Sequence, residues 1–263
     1  MKPNLPRPKL LADDEDKTAR RRGEEKGAYV TRLRSRELTR SIQQSRFPNS
    51  RPRDAATLLV LDSSGAEPKL LMGKRHEKLK FMPGKFVFPG GRVEPQDYLA
   101  TAGCQMPTAM TQKLLRRVRG VSHSQRAYAL AHAALRETQE ETGLVLGSCT
   151  NARDEQESFL PVLGGLSFIA RAITPPRRPR RFDTRFFTIS AERISGSGQI
   201  VDGEFTAIEW FTLSQARQQD LPIITRIILD DLEERLAAGT LHDLDAPVPF
   251  YFMRGACFHR KLL

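Results

Sequence analysis

Glu137, Glu140 and Glu141 stand three and four residues apart in Arg136-Glu137-Thr138-Gln139-Glu140-Glu141-Thr142-Gly143-Leu144. On a helix that spacing puts three carboxylates on one side. Like charges so placed repel, each pair costing a helix about 0.2–0.5 kcal/mol. A bound metal cation offsets the cost; a salt-bridged surface helix with Arg136 as partner is the plainer alternative. Hard oxygen donors without His or Cys select Mg²⁺ or Mn²⁺ over zinc. Such ions act as Lewis acids and lower the pKa of a bound water.

A second element lies upstream in Phe86-Val87-Phe88-Pro89-Gly90-Gly91-Arg92-Val93-Glu94-Pro95-Gln96-Asp97, an apolar strand leading into a Gly-Gly turn and two acids. The glycines let the backbone come close to a ligand. Together the turn and the Arg-Glu-x-x-Glu-Glu-x-Gly helix resemble the signature of the Nudix hydrolases, which cleave nucleoside diphosphates linked to another group. That signature runs Gly, five residues, Glu, seven residues, Arg-Glu, an aliphatic residue, any residue, Glu-Glu, any residue, Gly, aliphatic. This chain departs from it in three places: Asp97 stands for the first Glu, Thr138 for the aliphatic residue, and 38 residues separate Asp97 from Arg136. The long gap reads as an insertion at about 98–124, tolerated because only its two ends must meet.

The resemblance implies that Glu137, Glu140 and Glu141 supply metal ligands, that a backbone carbonyl of Gly90 joins them, and that Arg136 orients the glutamates. It places catalysis on Glu137, Glu141 and Arg136. Glu204, six residues before Trp210, has a spacing similar to that of an extra catalytic Glu in some members. It is the first candidate for an added ligand or base, an ordinary turn acid being the alternative. Glu94 and Asp97 are supporting acids, and Arg75, Gly91 and Arg92 are candidates for holding substrate phosphates. Leu70 to Arg75 and Phe88 to Gly91 are similar in part to the coenzyme A diphosphatase branch, from which Met82 before Gly84 departs. The insertion resembles a branch that hydrolyses acyl-coenzyme A. The expected reaction is therefore metal-dependent cleavage of a diphosphate bond in coenzyme A or acyl-coenzyme A. Nucleotide sugars or ADP-ribose are the nearest alternatives, and RNA-end processing or a non-catalytic nucleotide-binding module those of another class.

The elements that must position these residues follow from patterning. Ala55 to Asp62 and Lys69 to Lys74 read as strands around the turn Ser63-Ser64-Gly65, with Phe86 to Phe88 a third. A helix over Gln125 to Thr142, with Ser124 as N-cap and Gly143 as stop, repeats Ala127, Ala131 and Leu135 on an arc shared with Thr138. Within the insertion, Lys113 to Arg119 reads as a basic helix closed by Gly120. Leu163 to Thr174, Phe182 to Ile189 and Ala207 to Phe211 read as strands, and Ser214 to Gln219 and Ile223 to Ala238 as helices. Asp183, between aromatics, suits a buried structural hydrogen bond better than catalysis. The fold expected is an α+β, Nudix-type α/β/α sandwich with a mixed β-sheet. Its domain covers residues 54–240, with a tail over 1–53 and an extension over 241–263.

Composition bounds the partners. The chain has 263 residues and a formal net charge of +11, and residues 1–53 hold 15 Lys and Arg against 7 Asp and Glu. That tail reads as largely disordered, with a fluctuating helix near 28–45. A solvated tail is the first reading, and a nucleic-acid or membrane-surface arm the second. Cys104, Cys149 and Cys257 are odd in number and far apart, which suits a reducing cytoplasm and small buried side chains. No apolar run approaches the roughly 18–20 residues of a membrane span. The expected partner is a small-molecule nucleoside diphosphate derivative, and dimerisation is common in the resembled family.

Overall fold

Strand β1 (Arg53–Asp62) alternates its side chains between two apolar clusters, Ala56, Leu58 and Val60 joining one and Leu59 and Leu61 the other. A strand buried on both faces needs a continuous apolar run, and Leu58 to Leu61 supply it. The computed structural model describes residues 47–99, 106–120, 123–146, 163, 165–195, 198, 200–201, 203–254 and 257–263. Of the tail expected to be disordered, residues 1–46 lie outside them, as do Cys104 and Cys149, whereas 47–53 are described and Arg53 already opens β1.

On one side β1 pairs in parallel with β7 (Phe182–Ser190), which is followed in the sheet by β6 (Ser167–Ile173), β10 (Pro249–Arg254) and β11 (Cys257–Leu262). On the other side two strands share its edge. β2 (Lys69–Arg75) holds only the far end, through Leu61↔Leu70 and Asp62↔Lys69, and β4 (Gly90–Arg92) holds the near end, through Thr57↔Gly90 to Ala55↔Arg92. Having left β1, β2 pairs with β3 (Phe86–Val87) and along its length with β9 (Phe205–Thr212). The Gly-Gly segment thus sits where β1 and β2 diverge. A two-stranded ladder of β5 (Val145–Leu146) and β8 (Ile194–Ser195) stands apart from the main sheet.

Helices cover both faces. α1 (Thr108–Leu115) and α2 (Ser124–Thr142) pack on the side of Leu58, while α3 (Leu213–Gln218) and α4 (Ile223–Ala237) lie on the side of Leu59. The result is an α/β/α sandwich around a mixed sheet. Ala127, Leu130, Ala131, Ala134 and Leu135 of α2 are fully buried with Thr138; truncating a leucine here would cost about 2–5 kcal/mol. The helix stops at Gly143, whose φ of 64° is left-handed and whose N–H donates to the Gln139 carbonyl. Its N-cap is His123 and not Ser124, which is already helical.

Three expectations are corrected. The insertion's helix ends at Leu115, before most of the basic run: Met110 and Leu114 give it a buried stripe, whereas Arg116 is extended and Arg117 has φ 54°. Cys257 is exposed rather than buried, being on the outermost strand. The hairpin β10–β11 was not expected, although Phe250-Tyr251-Phe252 is a strong strand signal. It joins the sheet by parallel pairing of Phe250 and Tyr251 with Arg171 and Ala172. Tyr251 also donates to both oxygens of Asp231 on α4 (2.8 and 2.9 Å) and accepts from Arg260 Nε at 3.2 Å. Asp183, as expected, is structural: it takes a bidentate bond from buried Arg171 (2.7 and 2.6 Å). Among the described residues no helix is long and apolar enough to cross a membrane.

Candidate active site

The last two turns of α2 face β4, and the contact is close. Gly90 N–H donates to Glu141 Oε2 at 2.9 Å. A side chain on Gly91 would collide with the Glu137 carboxyl group, and one on Gly90 with the backbone of Ala56 and Thr57. Gly90 also has φ 152°, which L side chains rarely adopt. Both glycines are therefore required by packing, and Gly90 by backbone shape as well.

Arg136 organises the acids around it. Its Nε and Nη2 grip Asp97 (2.9 and 3.1 Å), Nη1 reaches Glu140 Oε2 at 2.8 Å, and Nη2 lies 3.1 Å from both Glu137 Oε1 and the Arg92 carbonyl. Asp97, only 3 % exposed, also accepts from Glu94 N–H at 2.7 Å. Burial opposes the Arg136 charge, yet the bond to Asp97 and the nearby carboxylates hold its pKa above the ordinary value. The shorter Asp side chain still reaches because the 3₁₀ turn Pro95–Tyr98 brings its backbone against α2.

Glu137 and Glu141 are strained electrostatically. Burial pushes Glu137 up to about 7 against the pull of Arg136, with Glu140 and Glu204 adding to the rise. Glu141, 2 % exposed, is raised well above the carboxylate range, first by burial, with the Gly90 N–H opposing and Glu137 and Glu204 adding. Glu204 pairs with Arg75 at 3.2 Å, and its carbonyl accepts from His76 N–H. It is placed there by Phe205, whose ring fills the space above Gly73 next to a register shift between Lys74 and Arg75.

Glu137, Glu141, Glu204, Arg75, Arg136, Gly90 and Gly91 are thus brought together. Glu140 stands at the exposed margin, turned to Arg136. Arg92 and Glu94 pair with each other at 2.8 Å on the outside, and only their backbones join the network. Among the described residues no three acidic, His or Cys side chains converge as a ready metal cage. The donor set nonetheless suits a hard cation: four carboxylates face two arginines, and the two most buried ones are pushed toward protonation by burial first and by crowding after it. His132, one turn before Arg136, was not foreseen. It is buried, burial lowers its pKa against the pull of Asp97, and its Nε2 has no hydrogen-bond partner among the described residues. A polar residue on the apolar arc of α2 was the only signal for it.

The NUDIX domain family model matches residues 126–232, beginning after the insertion that separates α2 from the Gly-Gly turn. Among solved structures, the Nudix hydrolase of Alicyclobacillus acidocaldarius is similar at 25 % identity and a TM-score of 0.52, over 72 % of this chain and 96 % of that one. The NUDIX domain of Shewanella oneidensis NrtR, complexed with ADP ribose, is similar at 14 % identity and a TM-score of 0.45, over 71 % and 90 %. MutT of Burkholderia pseudomallei is similar at 18 % identity and a TM-score of 0.43, over 70 % and 99 %. No curated protein is a significant match. With the strand, the Gly-Gly turn and the glutamate helix assembled in one place, the chain carries a NUDIX domain and shares the fold of the Nudix hydrolases.

Proposed function

We propose that this protein hydrolyses the diphosphate bond of coenzyme A or an acyl-coenzyme A with the help of Mg²⁺ or Mn²⁺. The observation that carries the metal reading is Glu141, almost wholly buried, whose one hydrogen-bond partner among the described residues is the Gly90 N–H. A buried carboxylate beside Glu137 and Glu204 calls for a cation. Glu137, Glu140 and Glu141 would hold it with the Gly90 carbonyl, Glu140 leaving Arg136 to do so. The bound ion would supply charge neutralisation of phosphate oxygens and a more acidic water.

The chain's own groups do the rest. Arg136, fixed by Asp97, orients Glu137 and Glu140. Glu204, tethered by Arg75, is placed to take a proton from the attacking water or to act as a further ligand. Arg75 and the backbone at Gly91 would meet substrate phosphates, and Arg92 would do so by leaving Glu94. Lys78 and Lys80 follow Arg75 in a loop that returns to β2 through Gly84 N–H to the Arg75 carbonyl, and they favour a substrate with a phosphate beyond the diphosphate, as coenzyme A has. The catalytic unit is residues 54–240, with 98–124 as the insertion.

Mass-spectrometric analysis after incubation with Mg²⁺ or Mn²⁺ and a panel of coenzyme A, acyl-coenzyme A, ADP-ribose and nucleotide sugars tests this. Phosphopantetheine with 3′,5′-ADP is the expected result. AMP from another panel member would move the substrate while keeping the site. No product, or full activity in Glu141→Gln, would overturn the site itself.

A further inference from the structure

At the end of the sheet where β1 and β7 begin, three segments distant in sequence form one surface. The turn after α1 carries Arg116, Arg117 and Arg119, and the connection from β6 to β7 runs Pro175-Pro176-Arg177-Arg178-Pro179-Arg180-Arg181. Arg181 donates to Asn49 Oδ1 (2.8 Å) and to the Ser50 carbonyl (2.6 Å). A side chain on Gly120 would come within 4.0 Å of Arg51 Nη2. Arg126, near the start of α2, donates to the Arg119 carbonyl at 2.9 Å and ties the turn down.

Much of the charge on this surface has no ion-pair partner among the described residues. Arg51, Arg117, Arg119, Arg177 and Arg180 are exposed and Arg181 partly so, and none of the six forms an ion pair among the described residues. The acids beneath, Asp54 and Asp183, are already taken by Arg126, Arg171 and Arg185. Burial and then the neighbouring Arg119 charge push the Arg181 guanidinium below its ordinary value. Holding like charges together in this way is unfavourable unless an anion is to be met.

We infer that this surface binds the phosphodiester backbone of single-stranded nucleic acid. Guanidinium groups fit phosphate oxygens bidentately, and here every cation is Arg. Phe47, 51 % exposed and two residues from Asn49, gives an aromatic face on which a base can stack. The arginines are interleaved with Pro, Gly and the half-buried Val118, and not with the large exposed aliphatic side chains that anchor a surface to a bilayer. The surface lies at the Arg126 end of α2, about 22 Å along the helix from Glu141 at 1.5 Å per residue, so binding there is separate from hydrolysis and does not rest on it.

The test is fluorescence anisotropy of the full chain with a labelled 20-nucleotide single-stranded RNA at several KCl concentrations. The triple variant Arg117→Glu, Arg119→Glu, Arg180→Glu is expected to bind at least tenfold more weakly, with the slope of log K against log salt reduced by about two. Its turnover of coenzyme A should stay within twofold of the parent and its thermal melt should be unchanged, which shows that it folds. Unchanged RNA affinity in that variant overturns the inference. So does a loss seen only with Arg20→Glu, Arg21→Glu, Arg22→Glu, which puts binding in the N-terminal segment, or capture of phosphatidylserine vesicles with no RNA binding.

Discussion

The Glu137 carboxyl group occupies the place where a Cβ on Gly91 would stand. A substitution that adds one methyl group therefore acts on the glutamate directly. Gly91→Ala should displace Glu137 and lower kcat at least 100-fold, whereas the cost in stability should stay near 1–3 kcal/mol, the range for overpacking. Turnover assays beside a thermal melt check this. An active Gly91→Ala enzyme would mean that Glu137 does not have to lie where it does.

Arg136 and Asp97 form the buried ion pair from which the rest of the network hangs. Removing one partner leaves an uncompensated buried charge, costing about 3–5 kcal/mol, so Asp97→Ala should destabilise strongly by chemical denaturation. Asp97→Glu restores the residue of the family signature, but its extra methylene must fit against the turn at Pro95–Tyr98. It should regain most of the stability and less of the activity. Equal loss in the Ala and Glu variants would show that the pairing is incidental.

Carboxyl groups raised by burial, Glu137 and Glu141 at the site and Asp231 away from it, give the protein a dependence on pH that metal should partly cancel. Glu137 and Asp231 are both pushed up to about 7. A raised carboxyl pKa contributes stability that is complete below the unfolded value and disappears as pH rises through the folded one. Without divalent metal, Tm should therefore fall between about pH 5 and 8. Mn²⁺ binds the ionised site and should restore the share of Glu137 and Glu141, leaving a residual fall that Asp231→Asn reduces. A flat Tm across that range in chelator is the outcome that contradicts the argument.

Local signals carried most of what the sequence revealed. The Gly-Gly turn and the glutamate helix each fit within a dozen residues, and Asp97 stayed recognisable across the insertion because it follows Gly91 at the signature spacing. The ends of α2 were nearly right because Gly143 punctuates it. What escaped depends on distant contacts. Tyr251 is fixed by Asp231 and Arg260, so the β10–β11 hairpin belongs to the sheet for reasons its own residues do not display. Phe205 sits over Gly73 only because the ladder shifts register beside it. Charge misled in the insertion, where Lys113 to Arg119 looked like one helical face: burial of Met110 and Leu114 decided the helix, and the arginines were left beyond its end.

Glu204 distinguishes two mechanisms that share one geometry. It is half exposed, pairs with Arg75 at 3.2 Å, and lies close enough to Glu137 and Glu141 to raise both. As a base it acts on the attacking water, and Glu204→Gln should lower kcat about 10²–10⁴-fold, the usual worth of general-base catalysis, with Mn²⁺ affinity unchanged by calorimetry. As a ligand, its loss should weaken Mn²⁺ binding and be partly rescued by high metal concentration. Arg75→Ala separates both from a mere turn acid: freed of its tether, Glu204 adds negative charge at the site, so metal should bind more tightly while kcat falls. If neither substitution changes metal affinity or turnover, Glu204 is an ordinary acid before a strand, and the proton must be taken by one of the glutamates of α2.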